Sequence, residues 1–306
     1  MHEILFWIII GIIVVDFIFE KYLDYLNTTT MSDVLPDELK GIYEEEKYRK
    51  QRAYQRENQR FGLLTSSFSF ALTLAMFLFF GFAFVDSLAW GITANAIVAA
   101  LFFFGLIMFV SSVLSIPFSV YDTFVIEEKY GFNKTSPKTF VIDTIKGWLL
   151  GAIIGGGLLA IIILIYQKTQ NMFWIYAWIL VSAFSVFMLL FYSNLIVPLF
   201  NKQTPLEAGE LRDAIQKFSD KVGFKLDNIF VIDGSKRSTK ANAYFTGIGA
   251  KKRIVLYDTL INDMETDELV AVLAHEIGHY KKKHVIQGLM ISLVQTGIVL
   301  FIFSLL

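Results

Sequence analysis

Six stretches of this chain carry enough apolar residues to cross a lipid bilayer, and everything else must fit around them. A helix rises 1.5 Å per residue, so the hydrocarbon core needs about 20 apolar residues. The first segment is Ile4–Phe19, with Asp16 near its end, and the second is the uncharged Phe61–Val85. The third lies around Ala94–Val120, with Pro117 near its end. The fourth lies between Lys146 and Lys168, the fifth between Lys168 and Lys202, and the sixth is Val285–Leu306. The start "MHE" offers no positively charged region, and no small-x-small cleavage site follows the first segment. That segment is therefore read as a retained span and not as a signal peptide.

Composition agrees. Charged residues make up 18% of the 306, against about 25% in soluble proteins. The net charge of −1 predicts no bulk attraction to nucleic acid, so no nucleic-acid partner is expected and the lipid bilayer is. There is no cysteine. A metal would have to be held by His, Asp or Glu, and a covalent nucleophile would have to be Ser, Thr or Lys.

Basic residues in short loops face the cytoplasm. The loop 21–60 carries Lys21, Lys40, Lys47, Arg49, Lys50, Arg52, Arg56 and Arg60, whereas Asp86–Gly91 has no Lys or Arg. The loop 121–138 has Lys129, Lys134 and Lys138, the turn near Lys168 has that base alone, and 201–284 is rich in Lys. Rich and poor loops alternate. The N-terminus is expected outside, with the polar segments in the cytoplasm. Within the first of them, Lys40–Arg60 reads as a helix running straight into span two. "GGG" at Gly155–Gly157 reads as a close-packing site between membrane helices.

The expected fold class is mainly α: a polytopic membrane helical protein with a small α+β module. The expected organisation is a membrane domain at 1–200, a cytoplasmic catalytic module at 201–284 and a sixth span at 285–306. In the module, Leu206–Val222 reads as a helix and Asn228–Asp233 as a strand. "ANAYFTG" and "RIVLYD" read as two strands joined through "GIGAKK", and Thr266–His284 as a helix.

That last helix contains "HEIGH", His275 to His279, and three of the four histidines lie in Leu273–His284. Positions i and i+4 share a helix face, so both imidazoles can point at one metal ion. Zinc suits such donors. Glu276 stands 100° round the helix, where it can take a proton from zinc-bound water and give it to the leaving amine. The competing reading is a helix whose histidines merely sit at its C-terminal dipole. An edge strand beside such a site can hold a peptide by strand addition. His284 is expected to be a boundary residue, because "HYKKKH" has no Gly-containing turn to bring a third histidine round. Lys281–Lys283 are expected to mark the inner edge of span six.

"HEIGHYKKKH", "DGSKRSTKANAYFTG" at Asp233–Gly247 and "EEKYGFNKTS" at Glu127–Ser136 together resemble the CAAX prenyl protease 1 family, integral-membrane zinc metalloproteases. The resemblance runs through essentially the whole chain. It implies one Zn2+ per chain held by His275 and His279, with Glu276 as general base. It also implies Asn242 as a substrate-side polar contact and Ala243, Tyr244 and Phe245 as the edge strand. The implied activity is removal of the C-terminal tripeptide of prenylated CAAX proteins, beside a water-filled chamber enclosed by the helices. One departure stands out. The family's third zinc ligand is a Glu well beyond HExxH, and residues 277–306 contain no Asp or Glu. The third ligand is expected beyond Leu306, in a longer protein. Two alternatives are a non-catalytic membrane scaffold with an incomplete zinc site and a membrane quality-control metalloprotease. The short module favours a bacterial inner membrane, with the endoplasmic reticulum or nuclear membrane as the other settings.

Overall fold

The computed structural model describes residues 2–224, 228–247 and 252–305. The chain divides into two compact units, Met1–Gly131 and Phe132–Leu306, so the expected boundary at 200/201 falls inside the second. Among the described residues, four helical stretches are long and apolar enough to cross a membrane: Glu45–Leu78, Ala96–Glu127, Pro137–Phe200 and His284–Ser304.

In the first unit, α1 (His2–Thr29) covers the expected first span and runs ten residues past Phe19. Then α2 (Glu45–Leu78) carries its charged half into the apolar half without a break, as expected. Most of the expected loop 21–60 is thus helical. The chain then turns at Phe79–Phe80, short of the expected Val85, with Phe80 in the left-handed region at φ 58°. Asp86–Gly91, expected as a turn, is helical within α3 (Gly81–Ile92). The sequence hides this turn because no charge, proline or polar cluster marks Phe79–Phe80. Asn95 caps α4 (Ala96–Tyr121), its side chain accepting from the amides of Ile97 and Val98. A wider π-type turn at Asp122–Glu127 follows. Glu57 of α2 accepts from Lys129 Nζ and the Tyr130 hydroxyl, both at 2.7 Å. Between α2 and α4 lies a groove of about 370 Å³, lined by Asn58, Thr65, Ser69, Ser115, Ser119 and Asp122.

In the second unit, Ser136 caps α5 (Pro137–Leu150) and a π-type turn at Gly151–Gly155 leads into α6 (Gly156–Thr169). Of the expected packing seam, Gly155 and Gly157 take no part, because a Cβ on either would meet nothing within 4 Å. Their permissiveness instead accompanies the widened turn. The chain reverses at Gln170–Met172 into α7 (Phe173–Leu195), and Tyr166 and Phe173 pack edge to face across the reversal. One 64-residue stretch thus holds the fourth and fifth expected segments.

After the short α8 (Val197–Phe200) comes the polar module. Its elements are β1 (Gln203–Pro205), α9 (Glu210–Lys221), β2 (Ile229–Ile232), β3 (Ala243–Thr246), β4 (Arg253–Tyr257), α10 (Asp258–Asp263) and α11 (Thr266–Lys281). The last helix, α12 (His284–Ser304), is the expected sixth span. The sheet order is β1-β2-β4-β3, with β2 parallel to β4 and both outer pairs antiparallel. The expected strand pair is there, although most of its connection, residues 248–251, lies outside the described residues. Neither β1 nor α10 was expected. The first is three residues ending in proline at a sheet edge, where no ladder donor is needed.

The loop before β3 is tied on every side. Gly234 has no room for a side chain, since a Cβ there would sit 2.3 Å from the Tyr257 ring. Asp233 Oδ1 accepts from the Lys202 amide at 2.8 Å, and Asp258 Oδ1 accepts from the Ser235 amide at 2.8 Å. Arg237 donates from Nε to Asp143 and from Nη2 to the Phe200 carbonyl, each at 2.8 Å. The Arg237 carbonyl in turn accepts from the Lys134 amide at 3.0 Å and the Thr135 hydroxyl at 3.1 Å. Two of the stretches that carry the family resemblance therefore meet in space.

Helices α7 and α12 lock at one point. Trp178 Nε1 donates to the Leu293 carbonyl at 2.8 Å, and a Cβ on Gly297 would lie 3.1 Å from that nitrogen. Gly297→Val should push the indole off its acceptor and cost about 1–3 kcal/mol by overpacking. Trp178→Phe should cost about 0.6 kcal/mol for the hydrogen bond within the membrane. Thermal unfolding of the detergent-solubilised protein reads both, and the double variant should be less destabilised than the sum. For the Arg237–Asp143 pair, Asp143→Ala should cost about 1–3 kcal/mol by leaving a half-buried guanidinium short of an acceptor. Limited proteolysis at 233–240 should accelerate with it, and unchanged proteolysis would show the pair to be idle.

Candidate active site

Helix α11 starts at a capping box, in which the Glu265 and Glu268 side chains each satisfy the other's backbone amide. Leu269, Leu273 and Ile277 then recur at i, i+4 and i+8, each at most 2% exposed. They pack into the module core with Ile215 of α9, Phe224, and Ile254 and Leu256 of β4. Two residues along a helix are 200° round it. His275 is two positions from both Leu273 and Ile277, so burying this stripe turns His275 and His279 outward.

The two histidines meet. Their Nε2 atoms are 3.0 Å apart and their ring centroids 4.7 Å apart. Two imidazole nitrogens sharing one zinc at a tetrahedral angle stand about 3.3 Å apart. The donor pair therefore fits one such ion. A complete set is not present: among the described residues, no group of three or more His, Cys, Asp or Glu could hold a metal. Glu276 is half-buried beside them.

His284 is not a bare boundary residue. Its Nδ1 lies 2.9 Å from Nδ1 of His279. The turn before His284 is made without glycine, by Lys283 in the left-handed region at φ 59°. A glycine search misses it because a lysine has taken the glycine conformation. Lys281 donates to the Val222 carbonyl.

The strand β3 is the terminal strand of the sheet on the α11 side, pairing only with β4 among the described strands. Its side chains alternate. Ala243 and Phe245 pack against the module core, and Phe245 lies 4.8 Å from the Tyr280 ring. Tyr244 points the other way and bonds to Ser193 of α7, with burial pushing its phenol pKa up. Asn242 is exposed, and its carbonyl accepts from the Tyr257 amide at 3.0 Å. What the expected substrate strand offers is therefore its main-chain edge more than its side chains.

Residues 24–202 match the family described as CAAX prenyl protease N-terminal, five membrane helices, and residues 205–306 match peptidase family M48. The chain is 37% identical over 309 residues to CAAX prenyl protease 1 of Saccharomyces cerevisiae, covering 97% of this chain and 68% of that protein. It is 40% identical over 289 residues to the Arabidopsis thaliana homolog, covering 90% and 67%. It thus spans about two thirds of the length of these relatives. The crystal structure of S. mikatae Ste24p superposes with a TM-score of 0.90 at 37% identity, over 98% of this chain and 72% of that one. With the HExxH pair on an exposed helix face and apolar helices throughout, this chain belongs to the CAAX prenyl protease members of peptidase family M48, a multi-pass membrane metalloendopeptidase.

Proposed function

We propose that the chain is a zinc-dependent endopeptidase that cuts prenylated proteins ending in a CAAX sequence and releases their C-terminal tripeptide. One observation carries this most: two imidazoles of an HExxH helix converge beside a sheet edge. The names of the yeast and plant relatives supply the substrate class.

His275 and His279 would hold one zinc ion per chain through Nε2. When bound, zinc polarises a peptide carbonyl and brings a water's pKa towards 7. Glu276 takes one proton from the attacking water. The water oxygen bonds to the carbonyl carbon, the C–N bond breaks, and Glu276 returns its proton to the leaving nitrogen. The substrate backbone extends along β3, against the main-chain groups of Ala243, Tyr244 and Phe245, with Asn242 at the strand's start.

The topology we propose has six spans, the N-terminus outside, and residues 201–284 in the cytoplasm. Its support is the alternation of basic and base-free loops. The relatives named above are eukaryotic, so we place the protein in a eukaryotic internal membrane in preference to the bacterial one.

Glu276→Gln should keep its zinc, measured by metal analysis, and lose about 10²–10⁴-fold in cleavage of a farnesylated CAAX peptide. A wild type that neither holds zinc nor cuts would instead support the scaffold reading with its incomplete site. The chain has no cysteine, so single-cysteine variants report topology cleanly. In sealed microsomes, whose cytoplasmic face is outward, Asp263→Cys should react with an impermeant maleimide, and Ala94→Cys only after permeabilisation. The reverse pattern would overturn the orientation.

A further inference from the structure

We propose that His284 is a positioning residue that fixes the tautomer of His279. The idea rests on reading His279 as a metal ligand, but its test can be read without metal.

His279 is engaged at both ring nitrogens. Nε2 faces His275 at 3.0 Å and Nδ1 faces His284 at 2.9 Å. A neutral imidazole has one N–H and one lone pair. To bind a metal through Nε2, His279 must carry its proton on Nδ1. The only side chain bonded to that nitrogen among the described residues is His284. In the proposed arrangement its Nδ1 accepts the bond and its own proton sits on Nε2. Free histidine in water prefers the opposite tautomer, with the proton on Nε2, which would block the metal-binding lone pair. An outer partner that holds the proton on the far nitrogen is what a ligating histidine requires.

The same geometry excludes His284 as the third ligand. It approaches the nitrogen of His279 that points away from His275, so the three rings form a chain and not a cage. The backbone is bent to allow it. Helix α11 closes with Lys282 donating to the Gly278 carbonyl at 3.0 Å and Lys283 to the Tyr280 carbonyl at 2.8 Å. Lys283 then takes the left-handed conformation at φ 59°, and α12 begins at His284. A lysine holds that conformation only where its surroundings impose it.

The test uses the whole chain labelled with ¹⁵N-histidine, free of metal. Four histidines make the spectrum assignable by substitution. Wild type should show His279 protonated at Nδ1 and bare at Nε2. His284→Ala and His284→Leu should move that proton to Nε2. His284→Asn, whose amide oxygen can accept in place of the lost Nδ1, should restore it. Zinc affinity should fall about 10–100-fold in the Ala and Leu variants and recover with Asn. The proposal is overturned if His279 keeps its Nδ1 proton whatever stands at 284, or if zinc affinity does not change. A wild type that binds zinc and shows the tautomer dependence, yet cuts no farnesylated CAAX peptide, would sink the protease reading and leave this one standing. A wild type that binds zinc and cuts, with a tautomer indifferent to residue 284, would do the reverse.

Discussion

The aim of the HExxH helix depends on one buried contact. Leu269, Leu273 and Ile277 press α11 onto α9 and β4, and fully burying each is worth about 1.5–3 kcal/mol. Because the stripe has a four-residue step, the helix can seat only one way. Its opposite face then presents His275 and His279 together, with Glu276 at their flank. The parallel β2–β4 pair beneath is the most deeply buried part of the module, and Ile254, Val255 and Leu256 are fully shielded. Which face of α11 turns outward is thus set by apolar packing on the far side of the helix.

Where the sequence was legible, a strong period or a sharp composition change carried the signal. The charged half of α2, the HExxH helix and the β3–β4 pair are of that kind. The turn at Phe79–Phe80 left no trace because it joins two apolar helices without a polar residue. The strand β1 and helix α10 were invisible because three- and six-residue elements take their identity from tertiary partners and not from their own pattern. The role of His284 was hidden for a subtler reason. Sequence reading looked for glycine at the reversal, and the structure spent backbone strain at Lys283 in its place. The strand at Ala243–Thr246 was legible, but alternation turned the side chains of Ala243 and Phe245 into the core.

The stretches 127–136 and 233–247 are far apart in the chain, and each by itself reads as a loop. Their union gives both a reason. Asn133 bridges to Ser238, the Lys134 amide and the Thr135 hydroxyl reach the Arg237 carbonyl, and Thr239 donates to the Phe132 carbonyl at 3.0 Å. Backbone groups that a polar loop would otherwise leave to water are paired here with another loop. The result is a fixed floor from which β3 departs.

The Arg237 tie has an architectural meaning. Its two acceptors, Asp143 and the Phe200 carbonyl, belong to α5 and α8, outside the polar module. The polar module is therefore not a cargo strung between two membrane segments. Cut free at residue 201, it would carry an arginine with no carboxylate, and the backbone of Arg237 and Thr239 would lose its partners at 132–135. A soluble fragment of this region should be a poor surrogate for the protein. A genetic fusion that transplanted the module onto unrelated helices would have to transplant residues 132–143 as well.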